Sequence, residues 1–180
     1  VQVGSSLWGK VSAGGYHTFG IQSDGTLWSW GANSFGQLGV SDLTHRYSPV
    51  QVGSSLWKQI SCGSDHTLGI QSNGTLWAWG NNSYGQLGLS NQTHRYSPVQ
   101  VGSSLWSNVF NAFRGLYATQ SNGALFACGY GTYGQVAQGF PTSYYSPVIV
   151  GGGLASGFTS VQAGYYHVLG LKSDGTLWGC

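Results

Sequence analysis

The chain has 180 residues, of which 41% are apolar, 14% are aromatic and 6% are charged, and this aromatic content excludes a disordered chain. The net charge is +2 without any run of basic residues, which argues against nucleic acid as a partner, and no apolar stretch approaches the roughly 20 residues of a membrane span. The four carboxylates form no hydrolytic pair and no nucleophile motif accompanies them, so the sequence predicts a protein that is not an enzyme and uses no cofactor.

The sequence repeats itself every 49 residues. Residues 1–49 match residues 50–98 at 35 of 49 positions, residues 99–147 match the second copy at 22 of 49, and residues 148–180 begin a fourth copy that is incomplete. A fixed period of this length predicts a single array of units that are each too small to bury their own apolar face. Because the chain has no Met and starts and stops inside the pattern, we expect it to be a fragment, a processed product or an incompletely identified segment of a longer protein.

Each copy contains four short apolar runs between Gly-rich turns, which in the second copy read PVQV, WKQISCG, HTLGIQS and TLWAWG. The turn at residues 72–75 contains Asn-Gly, a hairpin signal because tight two-residue turns need positive φ. Equivalent turns recur at residues 23–26, 121–124 and 173–176. Four strands per repeat are the content of one propeller blade, so the sequence predicts an all-β protein, a β-propeller of four-stranded blades.

Residues 13–39 read AGGYHTFGIQSDGTLWSWGANSFGQLG and are followed by a loop and SPVQV. This pattern resembles the repeat of the regulator of chromosome condensation family, which also occurs in alpha-tubulin suppressor proteins, the plant ultraviolet-B photoreceptor and bacterial β-lactamase inhibitory proteins. The resemblance covers essentially the whole chain and implies a propeller that usually closes with seven blades. With about 3.7 repeats present, three arrangements stay open: part of a longer seven-bladed ring, which we favour, a ring closed by two copies, or a four-bladed ring or open arc.

Several residue types recur at fixed repeat positions. One position holds three histidines, for which we expect hydrogen bonds within or between blades rather than a metal site: His17, His66 and His167. Another holds three tryptophans, which we expect in the core: Trp28, Trp77 and Trp178. The photoreceptor places Trp next to its His-Thr pair. Here that neighbour is Tyr16, Asp65 or Tyr166, so light sensing is not expected.

Two loop tripeptides place a cation beside an aromatic ring in a nearly uncharged protein. They are His45-Arg46-Tyr47 and His94-Arg95-Tyr96, and the third repeat has Ser143-Tyr144-Tyr145 instead. Because Arg and Tyr are enriched at interface hot spots, these two tripeptides and Tyr144 are candidate binding residues for protein or glycan. In the alternative interpretation the tyrosine packs between blades and the arginine caps a loop carbonyl.

The third repeat departs from the pattern of the others. Phe113-Arg114 replaces a small or polar pair, and Gly115 replaces the histidine, so we expect this blade to carry a different surface.

The chain contains three cysteines. Cys62 occupies a small-residue position and is predicted to be a buried packing residue. Cys128 and Cys180 replace an aromatic in neighbouring repeats, and a disulfide between them stays open.

Together these observations predict a non-catalytic propeller scaffold that binds a protein partner or assembles with itself. The low charge favours a structural or adhesive component on a microbial or viral particle, with an extracellular or particle-surface location and a cytoplasmic one as the alternative. A regulatory propeller, acting in guanine-nucleotide exchange or chromatin binding, and a glycan-binding, lectin-like module are the alternative functions. The resemblance to β-lactamase inhibitory proteins also leaves an enzyme-inhibitor role open.

Overall fold

The computed structural model describes residues 2–139, 141–153 and 156–179, which form antiparallel β-strands and one short 3-10 helix. The elements are β1 (Trp8–Ala13), β2 (His17–Gln22), β3 (Thr26–Gly31), β4 (Arg46–Cys62), β5 (His66–Gln71), β6 (Thr75–Gly80), β7 (Arg95–Leu105), β8 (Asn108–Asn111), β9 (Gly115–Thr119), β10 (Leu125–Gly129), β11 (Tyr144–Ile149), the 3-10 helix Val150–Gly153, β12 (Phe158–Ala163), β13 (Val168–Lys172) and β14 (Leu177–Gly179). No helix among these residues is long and apolar enough to cross a bilayer.

The strands group into four blades, and the predicted all-β propeller with four-stranded antiparallel blades is confirmed. Blade 1 contains β1, β2, β3 and the first part of β4, and blade 2 contains the rest of β4 with β5, β6 and β7. Blade 3 contains β8 to β11, and the described part of blade 4 contains β12 to β14.

Strand β4 connects the first two blades without a break. Its Val50 pairs with Ser29 of β3, whereas its Ile60 pairs with Gly69 of β5. The strand therefore forms the outer edge of blade 1 and then the inner edge of blade 2. In blades 1, 2 and 3 the fourth strand begins in the last residues of one repeat and continues into the next.

The β2–β3 hairpin shows why the Asp-Gly and Asn-Gly turns recur. Gly25 adopts φ +86°, a conformation that residues with a Cβ rarely adopt. Asp24 Oδ1 accepts hydrogen bonds from Thr26 N at 2.9 Å and from Thr26 Oγ1 at 2.7 Å. These bonds close the turn and hold the pKa of Asp24 below its ordinary value.

The apolar core lies between successive blades. Trp79 is fully buried, with its ring centroid 5.7 Å from that of Phe19 in blade 1 and 5.5 Å from that of Trp57. Its Nε1 donates to the carbonyl oxygen of Gln37, in the loop of blade 1, at 3.0 Å. Burial of large aromatic rings across each blade junction is therefore a principal stabilising contribution.

The inner strands of neighbouring blades are joined by hydrogen bonds near a common axis. Cys62 N donates to Ser12 Oγ at 3.0 Å, and Asn111 N donates to Ser61 Oγ at 2.9 Å. The β1–β2 connections and the long loops after β3, β6 and β10 lie at one end of the blades, which we call the loop face. The β2–β3 type of hairpin turn lies at the opposite end.

Two expectations about burial are corrected. Trp28 and Trp77 are only half-buried and Trp178 is exposed, so this repeat position lies at the border of the core, against which Trp77 packs. Trp77, for example, borders an open groove between blades 1 and 2. Cys62 is likewise half-buried, because it lines the mouth of the central axis on the loop face.

The structure describes one of the two cysteines of the predicted Cys128–Cys180 disulfide. Cys128 is buried and forms no disulfide within the described residues, and burial raises the pKa of its thiol. Its proposed partner Cys180 lies outside the described residues, so the disulfide stays a prediction.

Candidate binding face

The long loops of the loop face are organised by a buried asparagine. Asn33 Nδ2 donates to the carbonyl oxygen of Asp42 at 2.8 Å, and Asn33 Oδ1 accepts from Leu38 N at 2.9 Å. Asn82 makes the equivalent bonds in the second repeat. These contacts satisfy loop backbone groups that would otherwise be buried without partners, so the loop is held in a fixed shape over the blade junction.

The predicted histidines of the tripeptides fasten these loops. His45 Nδ1 accepts a hydrogen bond from Asn33 N at 2.8 Å, and His94 Nδ1 accepts one from Asn82 N at 3.0 Å. Ser143 Oγ takes the same place in the third repeat, accepting from Gly131 N at 3.3 Å. The residue at this position therefore caps its own loop in all three complete repeats.

The two arginines of the tripeptides differ in their partners. Arg46 donates to Asp42 Oδ2 at 2.5 Å and to the carbonyl oxygen of Thr44 at 2.8 Å. A hydrogen bond from Thr44 N, followed by the bond from Arg46, holds the pKa of Asp42 below its ordinary value. Arg95 has Asn91 in place of that aspartate, and it forms no ion pair or side-chain hydrogen bond within the described part of the chain.

The tyrosines of this segment lie at the outer edge of the blades. Tyr96 packs against the loop of blade 1, where a Cβ added to Gly36 would lie 2.5 Å from its ring. Tyr47, at the same position in blade 1, is 97% exposed. Tyr144 is half-buried between two core clusters. Within the described residues no hydrogen bond, ion pair or ring contact joins the two tripeptides, and binding by their residues stays a prediction.

The repeat-fixed histidines lie at the blade junctions. His17 Nε2 is 3.0 Å from Thr67 Oγ1 of blade 2, and His66 Nε2 is 3.3 Å from the carbonyl oxygen of Gly115 in blade 3. Burial lowers the pKa of both histidines to about 4, so both rings are neutral at pH 7. His167 is exposed on blade 4. The described residues contain no group of three potential metal ligands.

A set of side chains that was not predicted as a site forms a continuous surface on the loop face. We call it the aromatic–arginine patch, and it comprises Tyr84, Phe113, Arg114, Tyr130, Tyr133, Tyr165 and Tyr166. The patch extends over blades 2, 3 and 4 and borders the mouth of the central axis.

Arg114 is the charged member of the patch. Its guanidinium carbon lies 4.5 Å from the ring centroid of Tyr84, 5.1 Å from that of Phe113 and 5.9 Å from that of Tyr130. Such cation–π contacts stabilise the arginine among the rings while its charge stays available to a partner.

The rings form a connected series. Phe113 stacks on Tyr165 with centroids 3.5 Å apart and planes inclined by 25°. Tyr166 contacts both Tyr165 and Tyr133, each at a centroid distance of 4.8 Å. Tyr133, Tyr165 and Tyr166 are 62%, 51% and 50% exposed. A soluble protein rarely exposes several contiguous large rings, and such patches mark interaction sites.

Sequence reasoning missed this patch because its members come from three different repeats. Only the departure at Phe113-Arg114 signalled it, since the corresponding residues are Gly15-Tyr16 and Ser64-Asp65 in the first two repeats. The repeat pattern alone does not show which loop positions of successive blades become neighbours.

Comparison with known proteins identifies the repeat. A sequence model described as the regulator of chromosome condensation (RCC1) repeat matches residues 24–70, 73–110 and 122–171, more than half of the chain. A second model of the same repeat matches residues 10–37 and 57–86.

The curated relatives match over short stretches. The chain is 48% identical over 40 residues to the probable E3 ubiquitin-protein ligase HERC4 of Homo sapiens, which covers 22% of this chain and 4% of the relative. It is 44% identical over 46 residues to the ultraviolet-B receptor UVR8 of Arabidopsis thaliana, covering 26% of this chain and 10% of that receptor. The chain therefore spans a small part of these relatives.

Solved structures show the same fold over nearly the whole chain. Human WBSCR16 superposes with a TM-score of 0.85 at 20% identity, over 99% of this chain and 48% of that protein. Yeast RCC1 (Prp20), solved with Kap60, superposes with a TM-score of 0.82 at 18% identity, over 99% and 44%. The chain spans less than half of each. From the matched repeat models and this shared fold, we conclude that the chain belongs to the regulator of chromosome condensation (RCC1) repeat family.

Proposed function

We propose that this propeller array is a non-catalytic scaffold that binds a protein partner through the aromatic–arginine patch. The observation that carries this proposal is the exposed, connected set of rings around Arg114 on the loop face. Tyr and Arg are enriched at the residues that contribute most to protein–protein binding. The class of function also agrees with a solved relative, Prp20p, which is described by its binding to Gsp1p and histones.

The geometry favours protein binding because the patch is organised before a partner arrives. The rings of Phe113 and Tyr165 are stacked, and Arg114 is held among three rings. Side chains that are already restrained lose less conformational entropy on binding, so more of the contact energy contributes to affinity. Tyrosine has few rotatable bonds and presents both an apolar ring and a hydroxyl.

A structural or adhesive role on a microbial or viral particle is the finer form of the proposal. It is supported by the 6% charge content and by a surface that relies on neutral polar residues. It implies an extracellular or particle-surface location. Labelling intact source particles with an antibody to the hairpin turns tests it: labelling without permeabilisation is expected, and labelling only after lysis would contradict it.

The binding proposal is tested by photo-crosslinking in the source cells. A photoreactive residue at Tyr133 is expected to form an adduct with a defined protein, and Arg114→Ala should reduce that adduct because the charged centre of the patch is lost. The same photoreactive residue at Asn73, an exposed hairpin-turn position on the opposite face, is the control. Equal adducts from both positions, or none from Tyr133, would contradict the proposal.

The same experiment separates the regulatory alternative from the scaffold. If the crosslinked partner is a small GTPase, its nucleotide-exchange rate is measured with and without the chain. Acceleration would favour a regulatory propeller, whereas binding without acceleration supports a scaffold.

A further inference from the structure

Arg114, the charged member of the aromatic–arginine patch, has no hydrogen-bond acceptor among the residues that the structure describes. Its side chain is half-buried, yet its guanidinium forms no hydrogen bond and no ion pair with any of them. Arg46, by contrast, donates to both Asp42 and Thr44. A guanidinium has a rigid fork of N–H donors, and half-buried donors without acceptors cost free energy. An acceptor supplied from outside the chain would therefore stabilise Arg114.

The tyrosine hydroxyls of the patch add further donors. Within the described residues the hydroxyls of Tyr133, Tyr165 and Tyr166 form no hydrogen bond, and these three side chains are at least half exposed. Hydroxyl bonds occur instead at tyrosines outside the patch, Tyr117 and Tyr145. The patch therefore presents guanidinium and hydroxyl donors together, and this set of groups matches a ligand whose oxygen atoms accept hydrogen bonds.

The positive charge of the patch is not paired with a carboxylate in the described part of the chain. Two of the four carboxylates of the sequence lie in hairpin turns on the opposite face, and a third is paired with Arg46. The fourth, Asp65, accepts a hydrogen bond from Ser64 Oγ at 2.7 Å and forms no ion pair with Arg114. Charge complementarity therefore favours an anionic group on the partner.

The kind of anion follows from the single cation and its surroundings. Phosphate groups carry up to two negative charges and are recognised by clusters of basic residues, whereas one carboxylate matches one guanidinium through two parallel N–H···O bonds. Arg114 is surrounded by the rings of Tyr84, Phe113 and Tyr130. Rings that exclude water strengthen such a charge-assisted bond, and they also favour apolar side chains beside the carboxylate.

We propose that the protein partner binds the aromatic–arginine patch through one carboxylate, from an Asp or Glu side chain flanked by apolar residues. This inference rests on the proposed function, because it names the chemical group that the same patch recognises. The carboxylate accepts two hydrogen bonds from the Arg114 guanidinium, while the flanking side chains pack on the exposed rings of Tyr133 and Tyr166.

The probe for the test is a phage-displayed library of random peptides, selected on the full chain. Peptides that bind the patch are recognised because Tyr133→Ala, which removes an exposed ring, weakens their binding. We expect these peptides to share an Asp or Glu beside aromatic or aliphatic residues. Patch-binding peptides without a shared acidic residue would overturn this inference and leave the proposed function standing. If no selected peptide responds to Tyr133→Ala, both are overturned.

Matched peptides then test the carboxylate itself. Each acidic peptide is compared with forms that carry the corresponding amide or a phosphoserine at the acidic position, and affinities are measured by fluorescence anisotropy. The amide form should bind roughly tenfold more weakly, because it loses the charge-assisted bond. The phosphoserine form should bind no more tightly than the acid, because the patch has one cation. An amide that binds as tightly as the acid, or a phosphoserine that binds more tightly, would overturn the inference.

Variants assign this preference to the guanidinium. Arg114→Met keeps a long side chain against the rings but removes the charge and the N–H donors, so the acid and amide peptides should bind it with affinities within about twofold of each other. Lys58→Met is the matched control and should retain the full preference, because it removes one cation from an exposed position of β4 near the hairpin-turn end.

A second variant covers the case in which Arg114→Met does not fold. Arg114→Lys keeps the positive charge but loses the planar fork of donors, so it should reduce the preference for the acid peptide without abolishing it. A preference as large in the folded Arg114 variant as in Lys58→Met would overturn the assignment to Arg114.

Discussion

Two histidines that repeat along the chain connect neighbouring blades at their junctions. His17 and His66 each connect one blade to the next through Nε2, and each ring lies against a glycine of its own blade. A Cβ added to Gly14 or Gly63 would collide with the imidazole. The conserved spacing of histidine and glycine within this chain is therefore explained by close packing.

The two buried histidines predict how stability depends on pH. Burial lowers their pKa from 6.5 to about 4. Above pH 6.5 neither the folded nor the unfolded chain protonates them, so they add no pH dependence. Between pH 6.5 and 4 the unfolded chain binds protons that the folded chain does not, so the free energy of unfolding should fall by up to about 3 kcal/mol per histidine.

Urea unfolding at a series of pH values between 7.5 and 4 measures this slope. His66→Gln should reduce it, because one of the two depressed groups is removed. His167→Gln is the control, since that side chain is exposed. A slope that is the same in the wild-type chain and in His66→Gln would show that the pH dependence has another origin.

Tryptophan burial gives the second residue-scale prediction. Trp79→Ala should lower the free energy of unfolding by about 3–5 kcal/mol, because a fully buried indole leaves a cavity. Trp77→Ala, two residues away on the same strand, should cost clearly less because Trp77 is half-buried. Chemical unfolding of both variants provides the comparison, and equal losses would mean that Trp77 is as enclosed as Trp79.

Residue-scale prediction from sequence succeeded for the repeated histidines and failed where burial or contact depends on a neighbouring blade. The repeat pattern predicted that the histidines form hydrogen bonds within or between blades, and His17 and His66 form them between blades. It did not distinguish Trp77 from Trp79, because burial at each depends on the facing blade. Tyr133 likewise becomes part of the aromatic–arginine patch only through its contact with Tyr166 of the next blade.

At the scale of elements, the loop face is ordered by side chains that satisfy its backbone. Asn82 shows this most clearly, since its side chain donates to the carbonyl oxygen of Asn91 and accepts from Leu87 N. The Asn82 amide is therefore a central support of the loop of the second repeat, together with His94.

Asn82→Ala tests this dependence. The substitution leaves the buried Leu87 N–H without its acceptor, so it should cost about 1–3 kcal/mol. It should also speed amide hydrogen exchange in residues 83–93 of the loop. Ser83→Ala is the control, because that exposed hydroxyl makes no hydrogen bond with any residue that the structure describes. Exchange that is as slow in Asn82→Ala as in the control would show that packing alone orders the loop.

The hairpins were predictable from sequence, but strand β4 was not. Asp-Gly and Asn-Gly at fixed spacing indicate tight turns, and the turns lie where expected. The segments PVQV and WKQISCG read as two runs, whereas the structure has one strand, Arg46–Cys62. The pattern misses this because the strand continues through Gly53, whose φ is +59°, as it changes partners from β3 to β5.

At the scale of the whole molecule, the apolar face of one blade is covered by the blade before it. Val11 on the inner strand of blade 1 is 72% exposed, whereas Ile60 at the same position of blade 2 is 7% exposed. The difference arises because blade 1 covers blade 2. The same arrangement places loop residues of blades 2, 3 and 4 side by side, and this adjacency creates the aromatic–arginine patch.

The proposed role of the whole molecule depends most on whether a protein partner binds at this patch. The most direct measurement is amide hydrogen exchange of the full chain alone and in its native assembly isolated from the source. We predict slower exchange in the assembly at residues 113–115, 130–133 and 165–166, with the hairpin turns at residues 23–26 and 72–75 unchanged. Protection confined to the hairpin turns, or no protection on the loop face, would contradict it.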